Sequence, residues 1–200
     1  MRTVRNSALV TLLAIIPALG LDEKKAFKAN RAETYPAKSV QGKVTVAVVP
    51  YDRPEDMRQA FGKADLDKHN ILPVLIVIDN DGPKAIRVDL QAEFVMAGGK
   101  HLEAIPADEI MYLNGPRRPK GLDQPRYPIP TRKPKNKLEA WEVTGRAFTA
   151  KMVPPGESVS GFVYFQTARE SGARIYLTGL SDTQTGKELF YFEIPLPSEQ

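Results

Sequence analysis

Between residues 86 and 94 apolar and polar side chains alternate without a break. Ile86, Val88, Leu90, Ala92 and Phe94 stand against Arg87, Asp89, Gln91 and Glu93. A period of two predicts a strand with one dry and one wet face, as in an antiparallel sheet. The preceding run, Ile71 to Asp79, is almost wholly apolar and predicts a central strand buried on both faces. Pro73 sits near its start, where a missing N–H is tolerated. Lys43 to Val49 is β-branched and closes at Pro50, a third strand. Between them, Asp52-Arg53-Pro54-Glu55 predicts a short helix, with Asp52 as its cap, Pro54 in its first turn and Gly62 as its stop.

The remaining pattern is of the same kind. Asn80-Asp81-Gly82-Pro83 and Gly98-Gly99 are turns, His101 to Ile105 is a return strand, and 106–110 is one or two helical turns. Lys137 to Thr144 predicts a short helix ending at Gly145, and Arg146 to Val153 a strand. After the turn Pro154-Pro155-Gly156-Glu157, Ser158 to Thr167 is a strand with aromatics on both faces. Arg174 to Leu180 and Glu188 to Leu196 form a last hairpin. Some eight strands joined by turns and short helices predict a mostly β fold, an antiparallel β-sandwich, with a closed barrel as the alternative. The expected core is Val44, Val46, Val74, Ile76, Ile78, Val88, Leu90, Phe94, Phe162, Phe165, Leu177 and Phe192. The aromatic triplet Phe190, Tyr191 and Phe192 is assigned to the core as well.

Two segments depart from this pattern. Arg2 and Arg5 precede a largely apolar run from Ala8 to Leu21, and small residues Ala18 and Gly20 close it. That is the layout of a secretory signal peptide, residues 1–20, with Leu21 starting the mature protein. The run is shorter than the roughly 20 residues a spanning helix needs, so the mature form is expected to have no transmembrane span. Residues 21–39 are charged and alanine-rich and read as a flexible lead-in to a domain over 40–200. Within that domain, residues 115–136 carry six prolines, which forbid helix or central strand and leave a Pro-rich insert loop.

Charge separates the insert from the rest. Residues 115–137 hold eight basic groups and one acid, whereas 40–114 and 138–200 together hold 13 basic and 20 acidic groups. The chain is an acidic body with a basic insert rather than a uniformly basic nucleic-acid binder, and no nucleic-acid partner is expected. Arg117, Arg118, Lys120, Arg126, Arg132, Lys133, Lys135 and Lys137 are therefore the candidate anionic-partner site, with Tyr127 able to stack on a ring. Partners of suitable chemistry are an envelope protein, an anionic polymer or lipid head groups. Docking of the insert on its own acidic domain is the competing reading. The chain has no cysteine, so it carries neither a disulfide nor the lipid attachment of a lipoprotein.

Catalytic patterns fail on context. Gly156-Glu157-Ser158-Val159-Ser160-Gly161 lacks the spacing and the following helix of a nucleophile elbow. Asp65-x-Asp67-x-His69 alternates donors but lacks the glycine and terminal Glu of a calcium loop. Thr185-Gly186-Lys187 echoes the end of a phosphate loop, but the earlier glycine is misplaced and Glu188 follows Lys187, so it reads as a hairpin turn. Asp108-Glu109 are neighbours in sequence, with nothing to set them across a cleft. No catalytic residue, cofactor or metal site is assigned, and the chain is expected not to be an enzyme.

Leu72 to Asn80 with the alternating strand after it, and Val153 to Phe165, resemble paired strands and a later turn of immunoglobulin-like domains in exported bacterial proteins. The Gly145-Arg146-Ala147-Phe148 stretch, the run from Lys151 to Phe165 and the ending Thr185 to Leu196 are similar to uncharacterised exported bacterial proteins with such a domain. The resemblance implies an immunoglobulin-like β-sandwich and a periplasmic or extracellular location, and no activity. The antibody-type cysteine pair is absent. The expected function is a non-enzymatic, envelope-associated module for binding or scaffolding. The alternatives are a periplasmic assembly factor or chaperone that pairs a partner strand with a sheet edge, and a hydrolase with an unrecognised site.

Overall fold

A computed structural model describes residues 27–64, 66–113, 138 and 141–197. Among them are nine strands: β1 (Lys38–Gln41), β2 (Val44–Pro50), β3 (Leu72–Asn80), β4 (Ile86–Val95), β5 (His101–Glu103), β6 (Met152–Val153), β7 (Ser158–Phe165), β8 (Arg174–Asp182) and β9 (Phe192–Pro195). Two short helices, α1 (Pro54–Phe61) and α2 (Trp141–Gly145), connect them. The strands form two separate antiparallel sheets, in the orders β1-β2-β3-β7 and β5-β4-β8-β9, with β6 also paired to β4. The chain is mostly β, and two stacked open sheets replace the closed-barrel alternative.

Alternation explains how the sheets meet. Val44, Val46 and Val48 of β2 and Leu72, Val74, Ile76 and Ile78 of β3 face one way. They pack against Ile86, Val88, Phe94, Ile175, Leu177 and Phe192 of the second sheet. The residues between them on β3, Leu75 and Val77, point to the opposite face and into a second apolar cluster with Phe61, Leu66, Ile110, Val143, Phe162 and Tyr164. This outer layer is why all nine residues of β3 are buried and why the run from Ile71 reads as continuous rather than alternating. Among the described residues no helix is long and apolar enough to cross a membrane.

Several expectations are corrected. Leu90 is only partly buried, because the β4–β8 register slips between Val88 and Gln91 and interrupts the dry face there. Phe162 is core, but in the outer layer rather than between the sheets. Of Arg146 to Val153 only Met152–Val153 is strand. The preceding residues instead run beside the edge of β7, where Phe148 N–H donates to the Phe162 carbonyl and Phe162 N–H to that of Arg146. Phe192 is buried, but Phe190 is 76% exposed and Tyr191 half-exposed, because strand β9 starts only at Phe192 and the two residues before it lie outside the sheet. Tyr191 stacks on Tyr176 at 5.1 Å.

The segment expected as a loose lead-in is docked over residues 27–39. Ala32 is fully buried, Lys38 and Ser39 already belong to β1, and the Asp79 carboxylate accepts the Ala32 N–H at 2.9 Å and Arg31 Nε at 3.2 Å. Arg31 Nη2 also donates to Asp81 at 2.6 Å. A charged, alanine-rich stretch looks solvated in one dimension, and a buried acceptor 47 residues away is what holds it.

Candidate functional site

Helix α1 lies in the outer layer with Met57, Ala60 and Phe61 buried beneath it. Pro54 opens it with a preset φ and Glu55 and Asp56 favour its positive end. Asp52 does not cap it. The flanking residue is Arg53, without a side-chain bond to the helix N–H groups. Gly62 ends it at φ +61, as the sequence implied.

Asp52 has another partner. Its carboxylate accepts Arg169 Nη1 at 2.6 Å, and the two side chains are 20% and 12% exposed. Arg169 also donates to the Pro197 carbonyl. This pair joins the start of α1 to the segment after β7, and a groove of about 420 Å³ opens beside it. Met57, Ala64 and Leu66 supply its apolar wall, and Asp52, Arg58, Lys63, Asp67 and Lys68 its charged rim. A recess of about 180 Å³, lined in part by Arg169, Thr167 and Asn70, shares Asp52, Met57 and Asp67 with it. The larger volume falls in the range of small-molecule sites. Arg58 and Lys63 have no ion-pair partner among the described residues, so both cations are available to a ligand.

An aromatic group lies next to the helix. Phe162 is ringed by Phe61 at 4.7 Å, Tyr51 at 4.9 Å and Phe27 at 5.2 Å. The Arg146 guanidinium sits over the Phe27 ring at 5.2 Å and over Trp141 at 5.9 Å. It also donates to the Ala60 carbonyl at the end of α1. The buried Tyr164 hydroxyl donates to the Val143 carbonyl at 2.6 Å. Burial pushes the Tyr164 phenol well above its usual range and the Tyr51 phenol up to about 12, with Tyr35 and Asp56 adding to the latter. Both folded values lie above the unfolded one near 10, so the stabilisation is complete below pH 10 and is lost as pH rises through them. Unfolding midpoints in denaturant are expected to fall steadily above pH 10, and Tyr164→Phe should flatten that fall. An unchanged midpoint between pH 9 and pH 11.5 would remove this account.

The candidate anionic-partner residues Arg117, Arg118, Lys120, Arg126, Tyr127, Arg132, Lys133, Lys135 and Lys137 lie outside the described residues, as do residues 1–20 and Asp65. The two roots of the insert are described. Ile110, before it, and Leu138, after it, are both buried in the outer-layer cluster beside Phe61 and Tyr164. The other motifs fall where chemistry is not assembled. Ser158 and Ser160 are exposed on β7, and Gly161 between them and Phe162 is packed against the Phe148 backbone. Asp67 and His69 form a short 3-10 turn. Asp182 organises the 182–187 turn by accepting the N–H groups of Gln184 and Thr185. No group of three His, Cys, Asp or Glu that could hold a metal occurs among the described residues. The α1 groove was not legible in the sequence although its lining runs only from Asp52 to Lys68, because the concavity depends on how the helix packs against the turn after it. The Asp52–Arg169 pair beside it joins residues 117 apart.

No family model matches the chain, and no curated protein does. Among solved structures it is similar to the yjhA protein from Bacillus subtilis. The identity is 10% and the TM-score 0.45, over 80% of this chain and 96% of that one. A second similar structure is the Northeast Structural Genomics Consortium target SoR45, at 15% identity and a TM-score of 0.35, over 77% of this chain and 84% of that one. Both scores are too low for a shared topology to be read from them.

Proposed function

We propose that this chain is an exported, non-enzymatic module with an immunoglobulin-like β-sandwich, which binds an anionic partner at the cell envelope through its outer layer. The observation that carries the reading is the anchoring of the basic insert. Ile110 and Leu138 are buried in one cluster with the underside of α1, so a segment with eight cations leaves from and returns to a fixed platform. Arg58 and Lys63, without an ion-pair partner among the described residues, stand on that same layer. A ligand reached through many dispersed cations is an anionic polymer, an acidic protein or a lipid surface, and its binding weakens with salt.

The strand-pairing alternative has less support. β1 and β9 are four residues each, β1 begins with Lys38, and β9 ends at Pro195, which has no N–H to offer. The free side of β7 is bridged at Phe162 by Ala147 and at Tyr164 by Ile105.

The test is co-sedimentation with anionic and with zwitterionic vesicles, and with an acidic cell-wall polymer, at low and high salt. The wild type is expected to bind the anionic partners at low salt and to lose them as salt rises. A protein with 115–136 replaced by a Gly-Ser linker should lose most of that affinity. Arg117→Gln with Arg118→Gln should lower both affinity and salt dependence, with less than about 1 kcal/mol change in stability. Equal binding by all three proteins would sink the reading.

A further inference from the structure

A second cationic recess lies on the other sheet, on its solvent face. Arg87 of β4 is directly opposite Met152 of β6 on one side and Ser181 of β8 on the other. Residues so paired share a face, about 5 Å apart at Cβ. Lys151 precedes Met152, held there by its carbonyl, which accepts the Val88 N–H at 2.9 Å. With Thr183 and Gly186 from the turn after β8, these residues enclose a recess of about 300 Å³.

The charges in it are unevenly satisfied. Asp182 is fully committed. One oxygen accepts the Gln184 and Thr185 N–H groups at 2.8 and 2.9 Å, and the other pairs with Lys84 at 3.3 Å. The Thr185 N–H, the largest of these influences, holds its carboxyl below the usual range, so it stays ionised and offers no proton to an anion. Arg87 and Lys151 have no ion-pair partner among the described residues. Arg87 and Lys151 therefore share one concavity with an ionised Asp182 whose charge is already met by Lys84, beside the Ser181 hydroxyl and a Met152 side chain that is 52% exposed.

The geometry points to a phosphate-binding site in this recess, independent of the insert, in which Arg87 and Lys151 hold a phosphate group and Met152 meets the organic part of its ester. A guanidinium presents a planar pair of N–H donors that matches two phosphate oxygens, and an ammonium adds a point charge. Ser181 supplies a further donor. An anion between the two cations also removes their mutual repulsion. Carboxylates match the fork too, but a tetrahedral phosphate, dianionic in a soluble monoester and monoanionic in a lipid diester, offers oxygens to both cations and the hydroxyl together. The phosphate has two possible sources, a soluble ester or a lipid head group, and the exposed Met152 suits either.

Three proteins test the assignment: the full chain, the full chain with Arg87→Gln and Lys151→Gln, and the chain with 115–136 replaced by a linker. Each is titrated with inorganic phosphate at constant ionic strength, with chloride as control, following backbone amide shifts. Each is then mixed with phosphatidylglycerol vesicles and with vesicles of phosphatidylcholine alone. Saturable shifts centred on Arg87, Lys151 and Ser181 with phosphate assign a soluble source. Binding of the linker protein to phosphatidylglycerol vesicles, without a phosphate response, assigns the head group. The double substitution is expected to cost about tenfold or more in affinity for phosphate, the scale of losing one charge-assisted hydrogen bond, while the linker protein keeps its phosphate response or, for a head-group source, the residual vesicle binding that the insert does not supply. The inference is overturned if the linker protein responds to neither probe, or if the double substitution changes nothing. Loss of binding on insert replacement alone would leave the envelope-binding proposal standing and remove this one.

Discussion

Gly179→Ala is expected to destabilise the protein by about 3 kcal/mol or more, the combined scale of a forced backbone conformation and a steric overlap. Gly179 has φ +84, and a Cβ there would lie 1.9 Å from the Asp89 carbonyl oxygen, a backbone atom that cannot step aside. The position is where β4 and β8 slip register between Val88 and Gln91, the two chains approaching too closely for any side chain. Gly186→Ala is the control. Its φ is +66 but nothing lies within 4 Å of the added carbon, so only the conformational cost of about 1 kcal/mol applies. Urea unfolding of both variants separates them. A loss at Gly179 no larger than at Gly186 would mean that the bulge relaxes, and that the close approach is not needed to hold the second sheet.

Phe162→Ala should cost about 3 to 5 kcal/mol, the usual penalty for removing a buried aromatic ring. Phe162 is 1% exposed and meets Phe27, Tyr51 and Phe61. It is the common neighbour of the N-terminal segment, the end of β2 and helix α1. The loss should therefore be accompanied by faster amide exchange over 27–35 and 54–62, while β8 and β9 keep their protection. Val40→Ala, at an exposed position of β1, should change stability by no more than about 0.5 kcal/mol. Uniform loss of protection across both sheets would show that the outer layer and the inter-sheet core unfold as one unit, and not as the two apolar clusters described.

Strands β2, β3, β4, β7 and β8 were readable because local patterns specify them. The alternation over Ile86 to Phe94 and the unbroken run over Leu72 to Asp79 each follow from how many of a strand's faces leave water. Helix α1 and its stop at Gly62 were readable for the same reason, since proline and glycine constrain the backbone whatever surrounds them. The charge contrast between the insert and the body is likewise a property of the chain alone.

Tertiary structure decided what depends on partners distant in sequence. Docking of 27–39 needs the buried Asp79 carboxylate, and Asp52 serves Arg169 rather than its own helix. The residues before β6 pair with the side of β7 instead of extending that strand, because Phe162 offers its N–H and carbonyl there. Two cores exist where one was expected, since the second face of β3 could be known to be buried but not by what. The recess on the second sheet is of this kind too: Arg87, Lys151 and Ser181 meet only through strand pairing. Backbone preference and hydrophobic period act over a few residues and are written in order. A hydrogen bond, an ion pair or a concavity is set by proximity in space, which a sequence determines only through the completed fold.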